Sequence, residues 1–138
     1  MTEQRPTPAG LMTLLWLFFS PAGRVSRHVY WLALAVVVCL MFVLGRMWEA
    51  TLIFDTGPDG ALETVRMTDA SAGVLLAMLP FEWSALVIIA KRCRDRGWSG
   101  LAALIWMVPF ANLLLAVYIG LVPGDPGPNR YGPGPDRP

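Results

Sequence analysis

The chain has little charge and few of the side chains that enzymes and metal sites use. Of its 138 residues, 15% are charged, one is a histidine and two are cysteines, whereas soluble domains carry about 25% charged residues. The lone histidine and the lack of a CxxC pair exclude the usual metal-ligand spacings, and neither Ser26 nor Ser99 has a base partner that would activate it. A formal net charge of +1 is no electrostatic footprint for nucleic acid. We therefore expect no cofactor, no metal and no nucleic-acid partner.

The two cysteines are predicted to be free thiols. Cys39 lies within an apolar run and Cys93 within a basic one, so a membrane would hold them at different depths. A disulfide requires two Cα atoms within about 7 Å of each other. No disulfide is therefore expected.

In place of charge, the chain has long apolar blocks. Hydrophobic residues make up 55% of it and stand in continuous runs rather than at the spacing of a half-buried helix or strand, which is typical of membrane spans. We predict an all-α membrane protein with three transmembrane helices and a short N-terminal interfacial helix. Residues 11–122 then form one membrane domain between a disordered N-terminus, residues 1–10, and a Pro/Gly-rich tail, residues 123–138. The predicted interfacial helix covers residues 11–19, and the predicted spans cover residues 29–45, 72–90 and 101–122.

The first apolar run, "LMTLLWLFF", is too short to cross a bilayer. Nine helical residues reach about 14 Å, against a hydrocarbon core of about 30 Å. We interpret the run as a helix that lies in the membrane interface, with Trp16 at headgroup level. A signal peptide cleaved near Ser20-Pro21-Ala22 is the alternative, and the sequence leaves the two open.

Acidic side chains concentrate in the loop of residues 46–71, between the first two spans. Within it, residues 51–67 hold two β-prone stretches around a Gly-Pro-Asp-Gly turn, a pattern typical of a β-hairpin. An irregular loop explains the composition equally well, and the two stay open. In either form the loop is expected on the periplasmic side.

The basic residues predict on which side of the membrane each connection lies. If the N-terminus is cytoplasmic, most of them lie inside, as the positive-inside rule requires. We therefore expect a multi-pass protein with a cytoplasmic N-terminus and a periplasmic tail. The residues assigned to the cytoplasm are Arg5, Arg24, Arg27, Lys91, Arg92, Arg94 and Arg96, and those assigned to the periplasm are Arg46, Arg66, Arg130 and Arg137.

Three motifs, separated by the apolar runs, carry a family resemblance. They are "GRVSRHVYW" before the first span, "AKRCRDRGWSG" before the last span and "PGDPGPNRYGPGP" after it. In this order they resemble the domain-of-unknown-function 805 family of small bacterial inner-membrane proteins. Lys91 stands where the family pattern has arginine, and Arg94 where histidine is common. The resemblance implies the architecture and an inner-membrane location, and it brings no established activity. The matching positions are Gly23, Arg24, Ser26, Arg27 and Trp31, then Lys91, Arg92, Asp95, Ser99 and Gly100, and finally Asn129, Tyr131, Gly132 and Pro135.

The basic residues of the cytoplasmic face form the first candidate site. The functional interpretation is an anion site for phosphate headgroups, because each basic residue near an anionic surface contributes about 1 kcal/mol and guanidinium groups bind phosphate with two parallel hydrogen bonds. The alternative is a topology signal combined with an Arg–Asp95 pair that holds a tight turn. The candidate residues are Arg24, Arg27, Lys91, Arg92, Arg94, Asp95 and Arg96.

A polar pair near the membrane midplane is the second candidate. Glu82 lies near the middle of the second predicted span and Asn112 near the middle of the third. In an antiparallel hairpin of continuous helices their depths would differ by about 4.5 Å, which favours an interhelical hydrogen bond. A clasp between helices is one interpretation, and proton or cation handling is the other.

Two functional hypotheses follow from these candidates. The first is a non-enzymatic inner-membrane protein with a cytoplasmic basic face for anionic lipid or a partner. The second is a small oligomeric transporter or channel component that uses Glu82 and Asn112. An enzyme acting on lipid headgroups ranks last, because the sequence shows no acid/base constellation for it. The lipid bilayer is the expected partner in each case, and a homo-oligomer or a second membrane protein stays open.

Overall fold

A computed structural model describes residues 10–132 and 134–136 of the chain. The prediction of disorder for residues 1–10 falls, apart from Gly10, outside these residues. The chain divides into two compact units, residues 35–82 and the remainder, and each is described by itself. The elements in chain order are α1 Gly10–Phe19, α2 Arg27–Glu49, β1 Ile53–Thr56, β2 Leu62–Arg66, α3 Asp69–Asp95, a 3₁₀ helix Gly100–Met107 and α4 Ala111–Leu121.

Helices α2 and α3 are long and apolar enough to cross a membrane. α2 has 23 residues, with an 18-residue stretch of mean hydropathy 2.3, and α3 has 27 residues, with an 18-residue stretch of mean hydropathy 2.0. At 1.5 Å per residue they reach about 35 and 40 Å, against a hydrocarbon core of about 30 Å. They contain residues 29–45 and 72–90, so two membrane-capable helices stand where the first two spans were predicted. Helix α1 covers the predicted interfacial segment.

The unit of residues 35–82 holds the end of α2, a β-hairpin and the start of α3. Strands β1 and β2 pair antiparallel, with Phe54 opposite Val65, and Gly60 has the positive φ of 77° that the connecting turn requires. The hairpin, rather than an irregular loop, therefore occupies the segment that the sequence left open. The small sheet is a departure from the predicted all-α fold.

Three hydroxyl groups form a hydrogen-bond network where the hairpin joins α2 and α3. Thr68 Oγ1 accepts from Ser71 N at 3.2 Å, and Ser71 Oγ accepts from Thr68 N at 3.0 Å, as in a capping box at the start of α3. Thr51 Oγ1, just after α2, lies 2.9 Å from Ser71 Oγ. The end of α2 and the start of α3 are thereby joined.

The other unit differs from the prediction at the third span. Residues 101–122 do not form one continuous helix, because the 3₁₀ helix ends at Met107 and α4 begins at Ala111. Pro109 removes a backbone donor and disfavours helical geometry at Val108, which is extended with φ −96° and ψ 118°. α4 has 11 residues, about 16 Å, which is too short to cross a bilayer.

The 3₁₀ helix and α4 fold back on each other. The rings of Trp98, before the 3₁₀ helix, and Tyr118, near the end of α4, are stacked with centroids 5.7 Å apart. The reversal occurs at Phe110, whose φ of 65° is unusual for a residue with a side chain. The segment therefore returns to the end at which it started, like a re-entrant hairpin.

The tail lies against the ends of α2 and α3 that the sequence assigned to the cytoplasm. Asp125 N donates to Asp95 O at 2.7 Å, and Arg24 donates to Asp125 O at 3.1 Å. The prediction of a tail on the opposite side of the membrane from Arg24 and Asp95 is therefore wrong. The physical reason is the reversal at Phe110, which brings the chain back.

This arrangement predicts which connections share a side of the membrane. In a chain lacking Cys39 and Cys93, cysteines at the exposed positions His28 and Pro128 should react alike with a membrane-impermeant maleimide, and a cysteine at Asp59 should react oppositely. The measurement is labelling of intact and permeabilised cells. Labelling of the Pro128 position together with the Asp59 position would contradict the structure.

Candidate functional site

The three motifs meet in one place, although long apolar segments separate them in the sequence. Arg24 comes from the loop between α1 and α2, Arg92 and Asp95 come from the last turn of α3, and residues 124–132 come from the tail. Arg24, Arg92 and Asp95 are 1%, 1% and 3% exposed. We call these three side chains the ionic cluster.

Asp95 is the centre of the ionic cluster. Its Oδ1 accepts from Arg24 Nε at 3.1 Å and lies 2.9 Å from Arg24 Nη2, and its Oδ2 accepts from Arg92 Nη1. Each carboxylate oxygen therefore faces a different guanidinium group. Both arginines compensate the cost of burying the carboxylate, and it in turn holds them together.

Arg24 uses all five of its N–H donors. Besides the bonds to Asp95, Nη1 donates to Gly127 O at 2.9 Å and to Gly132 O at 3.1 Å, and Nη2 donates to Asp125 O at 3.1 Å. The tail is thus wrapped around one guanidinium group. Because unpaired carbonyls would be costly inside the protein, the tail and Arg24 satisfy each other.

Arg92 ties the cluster to the end of α4. Its Nε donates to Ile119 O at 2.9 Å and its Nη2 to Val122 O at 2.6 Å. The last carbonyls of a helix lack intrahelical partners and carry the negative end of its dipole. Arg92 therefore fixes the return of α4 beside α3.

Lys91 binds carbonyls near the end of α1, as Arg92 does for α4. Its Nζ donates to the carbonyls of Trp16 and Leu17 and lies 3.6 Å from the centre of the Trp16 ring. The side chain is fully buried. A cation at the C-terminal end of α1 is favoured by the dipole, and the indole adds a cation–π contact.

Arg94 and Arg96 are half-buried and reach the connecting loops. Arg94 Nη1 donates to Pro21 O, and Arg96 Nη1 donates to Pro123 O at 2.8 Å. Arg96 also lies over the rings of Trp98 and Tyr118, at 5.8 Å from each centroid. Every basic residue of "KRCRDR" therefore contacts a backbone carbonyl of α1, of α4 or of the segment that follows one of them.

The residues predicted for anion binding lie close together, and they differ in how far they are buried and hydrogen-bonded. Arg24, Lys91, Arg92 and Asp95 are buried, and Arg94 and Arg96 are half-buried. Arg27 is exposed, and within residues 10–132 and 134–136 it makes no hydrogen bond or ion pair. Anion binding by this set stays a prediction, for which Arg27 has the most donors available.

Glycines and a backbone-binding asparagine complete the site, and sequence reasoning missed most of them. A Cβ on Gly124 would collide with the carboxylate of Asp95, so only glycine lets the tail pass. Asn129 Nδ2 donates to Arg94 O at 2.9 Å and to Asp125 Oδ2 at 3.0 Å. Gly120 lies against the Trp31 ring and accepts from Trp31 Nε1 at 3.1 Å. The richness of the tail in glycine was the available signal, but composition alone does not show which glycines lie against other side chains.

The predicted midplane residues lie in the two different units. Glu82 is an exposed residue of α3. Asn112 is half-buried in the first turn of α4, where its Oδ1 accepts from Leu113 N at 2.7 Å. The depth argument for their pairing assumed a continuous third helix, so the pair stays a prediction without that support. Cys39 and Cys93 are free thiols, as predicted.

The fold and the site define a small helical membrane protein with two candidate spans and a buried Arg–Asp–Arg cluster. The chain belongs to the DUF805 family, described as proteins of unknown function, whose family model matches residues 18–133. It is 32% identical over 113 residues to the inner membrane protein YhaH of Escherichia coli strain K12. The aligned region covers 82% of this chain and 84% of the relative. YhaH of Escherichia coli O157:H7 matches to the same extent. No solved structure matches the chain.

The position of Asp95 predicts a large cost for removing its charge. Asp95→Asn leaves Arg24 and Arg92 buried without a counter-charge, and breaking a buried ion pair costs about 3–5 kcal/mol. We expect a loss of this order in the free energy of unfolding, measured by dodecyl sulfate titration in mixed micelles and followed by circular dichroism.

The matched control is Asp55→Asn, which removes the partner of Arg66 in the hairpin. That ion pair spans 2.8 Å, and its side chains are 65% and 39% exposed, so the change should cost less than about 1 kcal/mol. Equal losses in the two variants would contradict the assignment of Asp95 as the centre of the unit.

The tail predicts a contrast between two glycines. Gly124→Ala should loosen the tail, because its Cβ would displace the Asp95 carboxylate, and overpacking costs about 1–3 kcal/mol. Gly127→Ala should be tolerated, since a Cβ there meets no atom within 4 Å. The measurement is the rate at which a protease cleaves the tail of the purified protein, and similar rates for both variants would argue against this packing.

Proposed function

We propose that the chain is a non-enzymatic integral protein of the bacterial inner membrane whose cytoplasmic face binds anionic phospholipid. The observation that carries the proposal is the contrast between the saturated ionic cluster and the exposed Arg27 beside it. Arg24 and Arg92 donate their hydrogen bonds to Asp95 and to backbone carbonyls of the protein, so the cluster stabilises the fold. Arg27, in the first turn of α2, presents its guanidinium group outward.

The proposed topology has two crossings and a cytoplasmic N-terminus. α2 and α3 cross the bilayer, the segment from the 3₁₀ helix to α4 enters it and returns, and α1 lies in the interface. The charge distribution supports this arrangement, because returning the tail to the cytoplasm leaves Arg46 and Arg66 as the basic residues outside. The positive-inside rule is then obeyed more strongly than in a three-span arrangement.

A non-enzymatic role is supported by how the charged side chains are used. General acid–base catalysis requires a group that reaches its substrate directly or through one water. The buried charges of this site instead contact one another and the carbonyls of α1, α4 and the tail. These contacts hold the helices and the tail in place.

Anionic lipid is the ligand favoured by the position and chemistry of Arg27. An arginine at the end of a membrane-crossing helix lies at the depth of lipid phosphates, and its planar fork matches two phosphate oxygens. His28 is exposed beside it. Each basic residue near an anionic surface is worth about 1 kcal/mol.

The proposal predicts that Arg27→Gln weakens retention of phosphatidylglycerol by about fivefold, which corresponds to the loss of one such contribution. The measurement is native mass spectrometry of the full chain titrated with phosphatidylglycerol in detergent. Arg46→Gln is the matched control, because it makes the same change of charge at an exposed position near the other end of α2. Equal retention by the wild type and both variants would reject the proposed lipid-binding face.

A further inference from the structure

A groove runs along α3 from Trp83 to Arg94, in the helix that we propose to cross the membrane. Its volume is about 320 Å³, in the lower range for ligand sites. The walls are apolar, with Trp83 and Leu86 on α3 facing Leu101 and Leu104 on the 3₁₀ helix. In the proposed topology, these apolar walls lie within the hydrocarbon region of the bilayer.

The polar end of the groove is formed by Arg94, Ser99 and Tyr131. A second cleft, also of about 320 Å³, begins at the same place and is lined by Pro21, Ala22, Gly23, Arg94 and Tyr131. The two spaces therefore share Pro21, Arg94 and Tyr131. One space lies between α3 and the 3₁₀ helix and the other beside the loop of residues 21–23, with the Arg94 cation at the boundary.

Arg94 is positioned to bind a ligand at this junction. Its Nη1 donates to Pro21 O, while its Nε and Nη2 lie over Gly100, where a Cβ would approach them to 2.7 Å. The side chain is half-buried, in contrast to Arg24 and Arg92, and the ring of Tyr131 lies 5.7 Å from its Cζ. A partly desolvated guanidinium group next to an apolar groove favours an anion that carries an apolar chain.

We propose that this groove is a binding site for one anionic phospholipid, with an acyl chain between α3 and the 3₁₀ helix and the phosphate at Arg94. The inference rests on the proposed function and assigns a specific site on the lipid-binding face. Charge complementarity supports the phosphate at Arg94, and the apolar walls on a membrane-crossing helix support the acyl chain. Arg27 would then contact the lipid surface in general, and Arg94 would hold one lipid in place.

The test uses the full chain in micelles with a phosphatidylglycerol that carries a photoactivatable diazirine in its acyl chain. Crosslinks should map to residues 83–104. Arg94→Gln should lower this crosslinking about tenfold, as expected for the loss of a charge-assisted hydrogen-bond pair. Leu104→Trp should lower it similarly by filling the groove from a position that is 55% exposed.

Two controls carry the same chemical changes away from the groove. Arg66→Gln removes a cation from the exposed hairpin, and Leu32→Trp enlarges a residue of α2 that is 71% exposed. Both should leave the crosslinks at wild-type level. If Arg94→Gln does not fold, as judged by circular dichroism, Gly100→Ala provides a second test, because its Cβ displaces the same guanidinium group.

The outcomes separate this site from the proposed function. If Arg27→Gln lowers phosphatidylglycerol retention while Leu104→Trp leaves the crosslinks unchanged, the groove proposal fails and the lipid-binding face stands. If inorganic phosphate competes at Arg94 and Leu104→Trp has no effect, the site takes free phosphate, and the acyl-chain assignment is wrong. The groove proposal is supported if Arg94→Gln and Leu104→Trp lose crosslinking while the two control variants keep it.

Discussion

The carboxylate of Asp95, shared between Arg24 and Arg92, is the interaction on which the rest of this unit depends. A buried arginine is tolerated only if its charge is balanced and its donors are used. Asp95 supplies the balance, and the two arginines then use their remaining donors on carbonyls of α4 and the tail. The loop before α2, the end of α3, the end of α4 and the tail are therefore fixed through one side chain.

The cluster also explains why such dense charge stands between two of the most apolar segments of the chain. A basic segment after a membrane-crossing helix favours a cytoplasmic position, and the same side chains can satisfy the carbonyls of short helices that end nearby. Lys91 does this for α1 and Arg92 for α4, while Arg94 and Arg96 bind carbonyls of the loops that follow these helices. The same basic residues thus favour the cytoplasmic position and hydrogen-bond the protein's own carbonyls. A side chain whose donors are engaged inside the protein has fewer donors for an external anion.

The function that we propose follows from the difference between basic residues whose donors are engaged and those that are exposed. A cation with all its donors engaged stabilises the fold, as Arg24 does, whereas an exposed one such as Arg27 is available to lipid. Arg94 is intermediate, because it contacts the loop at Pro21 and also borders an apolar groove.

The sequence by itself determined the local features, and the tertiary structure decided the direction of the chain. Hydropathy and length were sufficient for α2 and α3, the Gly-Pro-Asp-Gly turn indicated a hairpin that did form, and the three motifs identified the family. The return of residues 101–122 could not be predicted in this way, because an apolar run of that length fits either a crossing helix or a hairpin of two short ones. Its outcome depends on Pro109, on the conformation of Phe110 and on the contacts of Trp98 and Arg92 with the returning helix, which join residues about twenty to thirty positions apart. Which arginines are buried was equally undetermined, since the carbonyls that bury them come from distant segments and exist as a group only in the folded chain.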